Sequence, residues 1–234
     1  MKMRDSEIRR CPVCDLALDP SHPTCPNFWC ARNDRGFDAV WAVGEHRGRL
    51  RRAIAGLKYR GEWWRAPWLG ALLVDFLLEE APSFDDIDLI VGTPGNVGRA
   101  RPVDHVTQIL AHAHPVIGDL WAMDLASPVL IKQWETRPMV GTSSAAVRRL
   151  WAAGELRAAL VVARPADVRG CRVLAVDDVF TDGSTLREVA LALRTAGAIA
   201  VSGLVLARQP LRPTVAKPPP KPPSEAHPSA PDSL

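Results

Sequence analysis

The sequence predicts an α/β chain: a mainly parallel sheet with flanking helices, preceded by a helical cap segment and a small four-cysteine head. Three observations carry this. Short apolar runs (Leu89-Ile-Val91, Ala159-Leu-Val-Val162, Val173-Leu-Ala-Val176 and residues 199–206) alternate with stretches of helical period. Four of the five cysteines lie in the first thirty residues. Nine of the 21 prolines lie from Pro210 onward. The resulting division is a head over 1–36, a basic helical cap over 37–85, an α/β core over 86–209 and a disordered proline-rich tail over 210–234.

Composition excludes several classes. With 47% hydrophobic and 24% charged residues among 234, the chain can bury a core, which rules out wholesale disorder. The longest nearly apolar run, residues 66–78, contains Pro67 and Asp75 and falls short of the ~18–20 residues that span a bilayer. The opening MKMRDSEIRR has no apolar signal core, which predicts a cytoplasmic location. A net charge of +3 gives no argument for nucleic acid at the level of the whole chain. In the tail, KPPPKPP favours a solvated polyproline II conformation, suited to a spacer, to a proline-recognising groove or to no partner at all.

The head reads Cys11-Pro-Val-Cys14 and, after a short loop, Cys25-Pro-Asn-Phe-Trp-Cys30. Two close pairs can place four thiolates tetrahedrally around one zinc. Two disulfides would use the same residues, but a reducing compartment disfavours them. The wider second spacing leaves room for His22 as a substitute ligand. Fewer than forty residues cannot form a core unaided, so a metal here would be structural. Cys171, alone at the start of an apolar strand, reads as a small buried hydrophobe.

Residues 47–65 hold seven basic side chains against one acid, Glu62. Leu50, Ile54 and Leu57 fall at helical spacing, so the basic groups line the opposite face. A nucleic-acid backbone, a phosphorylated substrate and plain solvent all fit that face. Trp63, Trp64 and Trp68 have the chemistry to stack on bases. Beside Leu69, Leu72 and Leu73 they read first as a packed helix face.

The most informative stretch is Val173-Leu-Ala-Val-Asp-Asp-Val-Phe-Thr-Asp-Gly-Ser-Thr185. Four apolar residues predict a buried strand, and Asp177 and Asp178 are expected to leave its exposed end on opposite sides. A turn rich in hydroxyls and glycine then opens a helix striped by Leu186, Val189, Ala190 and Leu193, with Gly197 as its stop. Free amides at that helix start, with Thr181, Gly183, Ser184 and Thr185, suit a phosphate dianion. The two acids suit vicinal hydroxyls, so the combination describes a sugar phosphate held at both ends. Thr185 and Glu188 also fit a capping box, which accounts for one hydroxyl and one acid and leaves the others unexplained. No Gly-Lys-Ser/Thr closes the turn, which excludes a P-loop.

These thirteen residues resemble the diphosphoribosyl-binding signature of type I phosphoribosyltransferases. The chain order over residues 11–208, with Leu57-Lys58-Tyr59-Arg60-Gly61 between head and core, is similar to that of the ComF-type proteins associated with DNA uptake in competent bacteria. The resemblance implies that Asp177 and Asp178 hold the ribose hydroxyls of phosphoribosyl pyrophosphate. It assigns Thr181, Asp182, Gly183, Ser184 and Thr185 to its 5-phosphate. Mg²⁺ would bridge pyrophosphate and ribose. The loop over 93–99, with Thr93 and Gly95, would face the pyrophosphate, and Lys58, Arg99 and Arg101 would compensate its charge. Zinc would sit on Cys11, Cys14, Cys25 and Cys30. The implied activity is displacement of pyrophosphate at ribose C1 by a nitrogen acceptor. The implied alternative is a catalytically weak module that binds single-stranded DNA or DNA-uptake proteins. This chain departs from the family pattern where relatives carry Pro-Val-Pro (here Gly92-Thr-Pro-Gly-Asn-Val-Gly98) and Arg-Gly-Phe-Asn-Gln (here Arg101-Pro-Val-Asp-His105). The Gln- and Asn-bearing stretch before the signature is altered too. His105 is read as an ordinary exposed histidine, with proton acceptor as the other possibility.

Overall fold

The computed structural model describes residues 8–21, 24–96, 104–123, 125–137 and 144–210. Its strands are β1 (Val40–Glu45), β2 (Leu89–Gly92), β3 (Ala122–Met123), β4 (Leu130–Lys132), β5 (Leu160–Val162), β6 (Arg172–Phe180) and β7 (Ala200–Arg208). Its helices are α1 (Gly48–Arg60), α2 (Ala66–Glu79), α3 (His105–Ile117), α4 (Ala145–Trp151), α5 (Arg157–Ala159), α6 (Pro165–Val168) and α7 (Ser184–Thr195), with a π-helical turn, Ala152–Leu156, joining α4 to α5. Arg99, Arg101, His22 and residues 211–234 of the tail lie outside the described residues.

Five strands form one parallel sheet in the order β1-β7-β6-β2-β3. Side chains alternate across it. Val173, Ala175 and Val205 pack with α7 and the cysteine head, while Leu174, Val176, Leu204 and Leu206 pack against α1, α2 and α3. Burial on both faces is what a run such as Val173-Leu-Ala-Val176 requires, since each Val or Leu removed from water contributes about 1.5–3 kcal/mol. The mainly parallel α/β architecture and the four-cysteine cluster are thus present as the sequence predicts.

Several elements differ from the sequence reading. Residues 40–45, assigned to the helical cap, form edge strand β1. Their free edge is covered by the head: Val40 N donates to Val13 O at 2.9 Å, and Ala42 N to Asp15 Oδ2 at 2.8 Å. The strand expected at 159–162 pairs antiparallel with β4, outside the main sheet. Strand β6 does not close at the two acids but runs on to Phe180, because β7 continues beside it as far as Arg208. Helix α1 does bury Leu50, Ile54 and Leu57, and ends at Gly61 in a left-handed conformation, φ +64°. Trp63 and Trp64, in the turn before α2, and Trp68 on α2 are exposed; Leu69, Leu73 and Leu77 fill the buried side of α2, and the Arg65 guanidinium lies 4.1 Å over the Trp64 ring. Cys171 is half-buried, its Sγ donating to Asp167 O at 3.3 Å. Among the described residues no helix is long and apolar enough to cross a membrane.

Candidate functional site

From β2 the chain passes through α3 to β3 on one side, and from β6 through α7 to β7 on the other. The crevice between the carboxyl ends of β2 and β6 is therefore a topological switch point, where open α/β sheets bind ligands. Asp177 and Asp178 lie at that crevice. Asp178 is only 2% exposed, and Asp177 is half-buried. The expectation of an exposed strand end is corrected on both counts, since β6 extends past them and α1 and α3 close over the near side.

Strand alternation turns Asp178 toward α1 and α3. Lys58 Nζ from α1 donates to Asp178 Oδ2 at 2.6 Å, and His105 Nε2 from α3 lies 3.0 Å from the same oxygen. Burial pushes the Asp178 carboxyl up, but the Lys58 ammonium and the His105 and Lys58 hydrogen bonds outweigh it and hold the group well below the usual carboxylate range. Asp177 behaves oppositely. Burial, reinforced by the Asp178 charge, pushes it up to about 6 against the attraction of Lys58 and a hydrogen bond from Thr93. Burial also opposes the charge on Lys58, yet Asp178 and Asp177 together hold its ammonium well above the usual lysine range. His105 is thus no ordinary surface histidine: its side chain is 13% exposed and part of the cluster.

The loop after β2 is organised by Asp104. Its Oδ1 accepts from Val106 N at 2.9 Å and Thr107 N at 3.0 Å, capping α3. Its Oδ2 accepts from Gly95 N at 2.8 Å, so that amide is already engaged. Thr93 is buried, and its own amide donates to Val176 O at 2.8 Å. Sequence reasoning missed the neighbouring polar group of Lys132, whose Nζ donates to Asn96 Oδ1 at 3.0 Å and Thr136 Oγ1 at 3.3 Å. Burial lowers the Lys132 ammonium, opposed by the charges of Asp177 and Asp104. Asn96 was visible in the unusual GTPGNVG loop, whereas nothing local to Lys132 marks it.

The turn after β6 is built from small residues for a steric reason. Gly183 has φ +91°, and a Cβ there would meet the Phe180 ring at 2.6 Å. Gly183 itself precedes the first turn of α7, so Thr185 and Glu188 form no capping box; Glu188 is buried against Arg187 at 2.6 Å. Asp182 Oδ1 accepts from Ser184 N at 3.1 Å, and its Oδ2 lies 3.1 Å from Arg148 Nε. Ser184 Oγ is buried at the start of this twelve-residue helix and has no hydrogen-bond partner among the described residues. A buried hydroxyl left unpaired costs about 1–3 kcal/mol, so an acceptor brought to this helix start would be bound favourably. Thr181 is exposed and Thr185 half-buried at the same turn.

In the head, the four Sγ atoms of Cys11, Cys14, Cys25 and Cys30 lie within 4.8 Å of one another. The Cys11–Cys30 and Cys14–Cys25 sulfurs are 3.7 and 3.6 Å apart, near the ~3.8 Å edge of a tetrahedron with 2.3 Å metal–sulfur bonds and far from a disulfide. The donor set fits a metal ion such as zinc. Without a cation the cluster resists a second ionisation: hydrogen bonding with Cys14 is the main cause that pushes Cys25 up to about 12 and Cys30 further still. No family model matches the chain, and no curated protein matches it either.

Proposed function

We propose that this chain is a ComF-type phosphoribosyltransferase-fold protein that binds phosphoribosyl pyrophosphate and displaces its pyrophosphate with a nitrogen acceptor. The observation that carries the reading is a buried and a half-buried acid followed closely by a turn whose helix start presents an unpaired buried hydroxyl, all at the sheet's switch point. Thr181, Gly183, Ser184 and Thr185 would take the 5-phosphate. Asp182, engaged with Arg148, would contribute through its backbone. Asp177 and Asp178 would accept from the ribose 2- and 3-hydroxyls.

In the ligand-free protein Lys58 holds Asp178. Ribose hydroxyls compete for that oxygen and release the ammonium toward the leaving group. The C1–oxygen bond breaks with its electron pair leaving on pyrophosphate, the C1–nitrogen bond forms, and the acceptor nitrogen gives up its proton to water or to the departing pyrophosphate. Lys58 and Lys132 supply positive charge beside this change. Mg²⁺ arriving with the substrate would supply charge neutralisation to the leaving group. Zinc on the four cysteines would be structural, since all four positions are filled by protein.

Pyrophosphate release from phosphoribosyl pyrophosphate and Mg²⁺, measured across a panel of bases and amines, tests the activity. Release that Asp177→Asn and Asp178→Asn abolish supports it; no release with any acceptor defeats it.

A second reading is favoured by one observation. Trp63, Trp64, Trp68 and Tyr59 are exposed, Arg65 lies over the Trp64 ring, and Arg49, Arg51 and Arg52 are exposed on α1, a set of rings and cations suited to single-stranded DNA during uptake. Under this reading the chain binds DNA or uptake partners and turns over little. Trp64→Ala then weakens oligonucleotide binding by about 1–3 kcal/mol while Asp178→Asn leaves it unchanged. A salt-insensitive titration, or no binding at all, argues against it.

A further inference from the structure

We infer that the four-cysteine head is a functional wall of the turn after β6, so that metal occupancy and phosphate binding are thermodynamically coupled, with Arg208 and Asn27 as positioning residues. This rests on the reading of that turn as a phosphate site. Arg208, 2% exposed, is the main link. Its Nε donates to Cys14 O at 3.1 Å and its Nη2 to Cys14 Sγ at 3.6 Å. Its Nη1 donates to Phe180 O at 3.2 Å, Thr181 O at 2.7 Å and Gln209 O at 2.8 Å. One rigid planar fork thus grips a metal-ligating residue and the first carbonyls of the turn.

Asn27, between Cys25 and Cys30, continues the series. Its Nδ2 donates to Asp182 O at 3.1 Å, and its Oδ1 accepts from Trp29 N at 3.0 Å. The Trp29 ring closes the same side: a Cβ on Gly183 would lie 3.3 Å from its Cδ1. The Asp182 carbonyl is therefore held by the head, and those of Phe180 and Thr181 by the fork that grips Cys14, Phe180 O also accepting from Gln209 N at 2.9 Å. A peptide unit is planar and trans, so its N–H points opposite to its C=O. Holding those carbonyls directs the amides of Thr181, Asp182 and Gly183 away from the head, side by side, as a concave set of donors for an anion.

Val13, Asp15 and Leu16 dock the Cys14 segment on β1 and the core, and the metal would tie that segment to the loop carrying Asn27. Loss of the metal would remove the tie between the Cys14 segment gripped by Arg208 and the loop carrying Asn27, and so loosen the amide set. Linkage is reciprocal: the metal tightens phosphate binding, and phosphate tightens metal binding by the same factor.

The full-length zinc-loaded protein is titrated with a chromogenic chelator, with and without saturating ribose 5-phosphate, whose own binding is measured by calorimetry. The expected result is a rise in zinc affinity of roughly fivefold or more with ribose 5-phosphate present. In Arg208→Lys, and separately in Asn27→Asp, zinc still binds at one per chain and ribose 5-phosphate still gives heat, but the rise is largely lost. Asn27→Asp keeps the oxygen that accepts from Trp29 N and replaces the donor to Asp182 O by a charged acceptor that cannot hold that carbonyl, so it stands if the buried Arg208 variant fails to fold. Heat of binding with unchanged zinc affinity overturns the coupling and leaves the phosphate site standing. A rise preserved in both variants overturns the assignment of Arg208 and Asn27. Absence of any heat overturns the phosphate site and the coupling together.

Discussion

Lys58 Nζ stands 2.6 Å from Asp178 Oδ2, joining residues 120 positions apart in a site where the carboxylate is almost wholly enclosed. An ion pair of this kind is weak evidence of net stabilisation, because taking both charges out of water opposes their attraction. Removing one partner is nevertheless costly. Lys58→Met is expected to lower unfolding free energy by about 3 kcal/mol, read from denaturant titration. Combining it with Asp178→Asn should cost at least about 1 kcal/mol less than the sum of the single changes. Strict additivity would show that the pair does not interact in solution.

Asp177 gives the stability a pH dependence of definite sign. Its carboxyl is raised from 3.8 to about 6, chiefly by burial, so the folded state holds a proton there that the unfolded state has already lost. Its contribution is fully present below about pH 4 and declines as pH rises through 6. Asp177→Asn removes that decline. The variant should match the wild type near pH 4 and exceed it by on the order of 1–2 kcal/mol at pH 7, measured by thermal unfolding across pH. Asp178, held low by Lys58 and His105 against its burial, works in the other direction: its stabilisation is present at neutral pH and fades only below the ordinary carboxylate range. A wild-type minus Asp177→Asn difference that does not change with pH would contradict the assignment.

Asp104 serves two elements with two oxygens, one capping α3 and the other accepting from Gly95 N. Asp104→Ala is expected to cost about 1–2 kcal/mol. Asn retains an oxygen for the cap but brings an amide against the Gly95 N–H, so Asp104→Asn should recover only part of the loss. Full recovery would mean that the tie to Gly95 contributes nothing.

For the head, Cys14→Ser should reduce bound zinc to well below one per chain. If the metal knits the head to β1, it should also lower the melting temperature by about 4–8 °C, corresponding to a loss of ~2 kcal/mol. Chelation of the wild type should reproduce the shift. Metal analysis finding no zinc in the wild type would dispose of the site.

Much of this arrangement was written locally in the chain. Val173-Leu-Ala-Val176 specified a strand buried on both faces, and Leu186, Val189, Ala190 and Leu193 specified the buried side of α7, because these depend on periodicity alone. The spacing of Cys11, Cys14, Cys25 and Cys30 likewise specified a cluster, since short loops can fold back only so far. The acids and hydroxyls of residues 177–185 could be read as one site because a strand, a tight turn and a helix keep neighbours in sequence close in space.

What only the tertiary structure decided is which distant groups face that site. His105 and Asp178 stand 73 positions apart with no local record of their contact, which arises because β2 and β6 are adjacent in the sheet and α3 starts at their carboxyl ends. Arg208 and Cys14, 194 positions apart, meet because the head lies along the edge of β1 and β7 lies next to it. Trp68 is as apolar in sequence as any core residue, yet the buried side of α2 was already filled by leucines, and Trp63 and Trp64 fall in the exposed turn before it. Periodicity determines which side of an element is apolar. Strand order determines what that side, and every charge at its end, will meet.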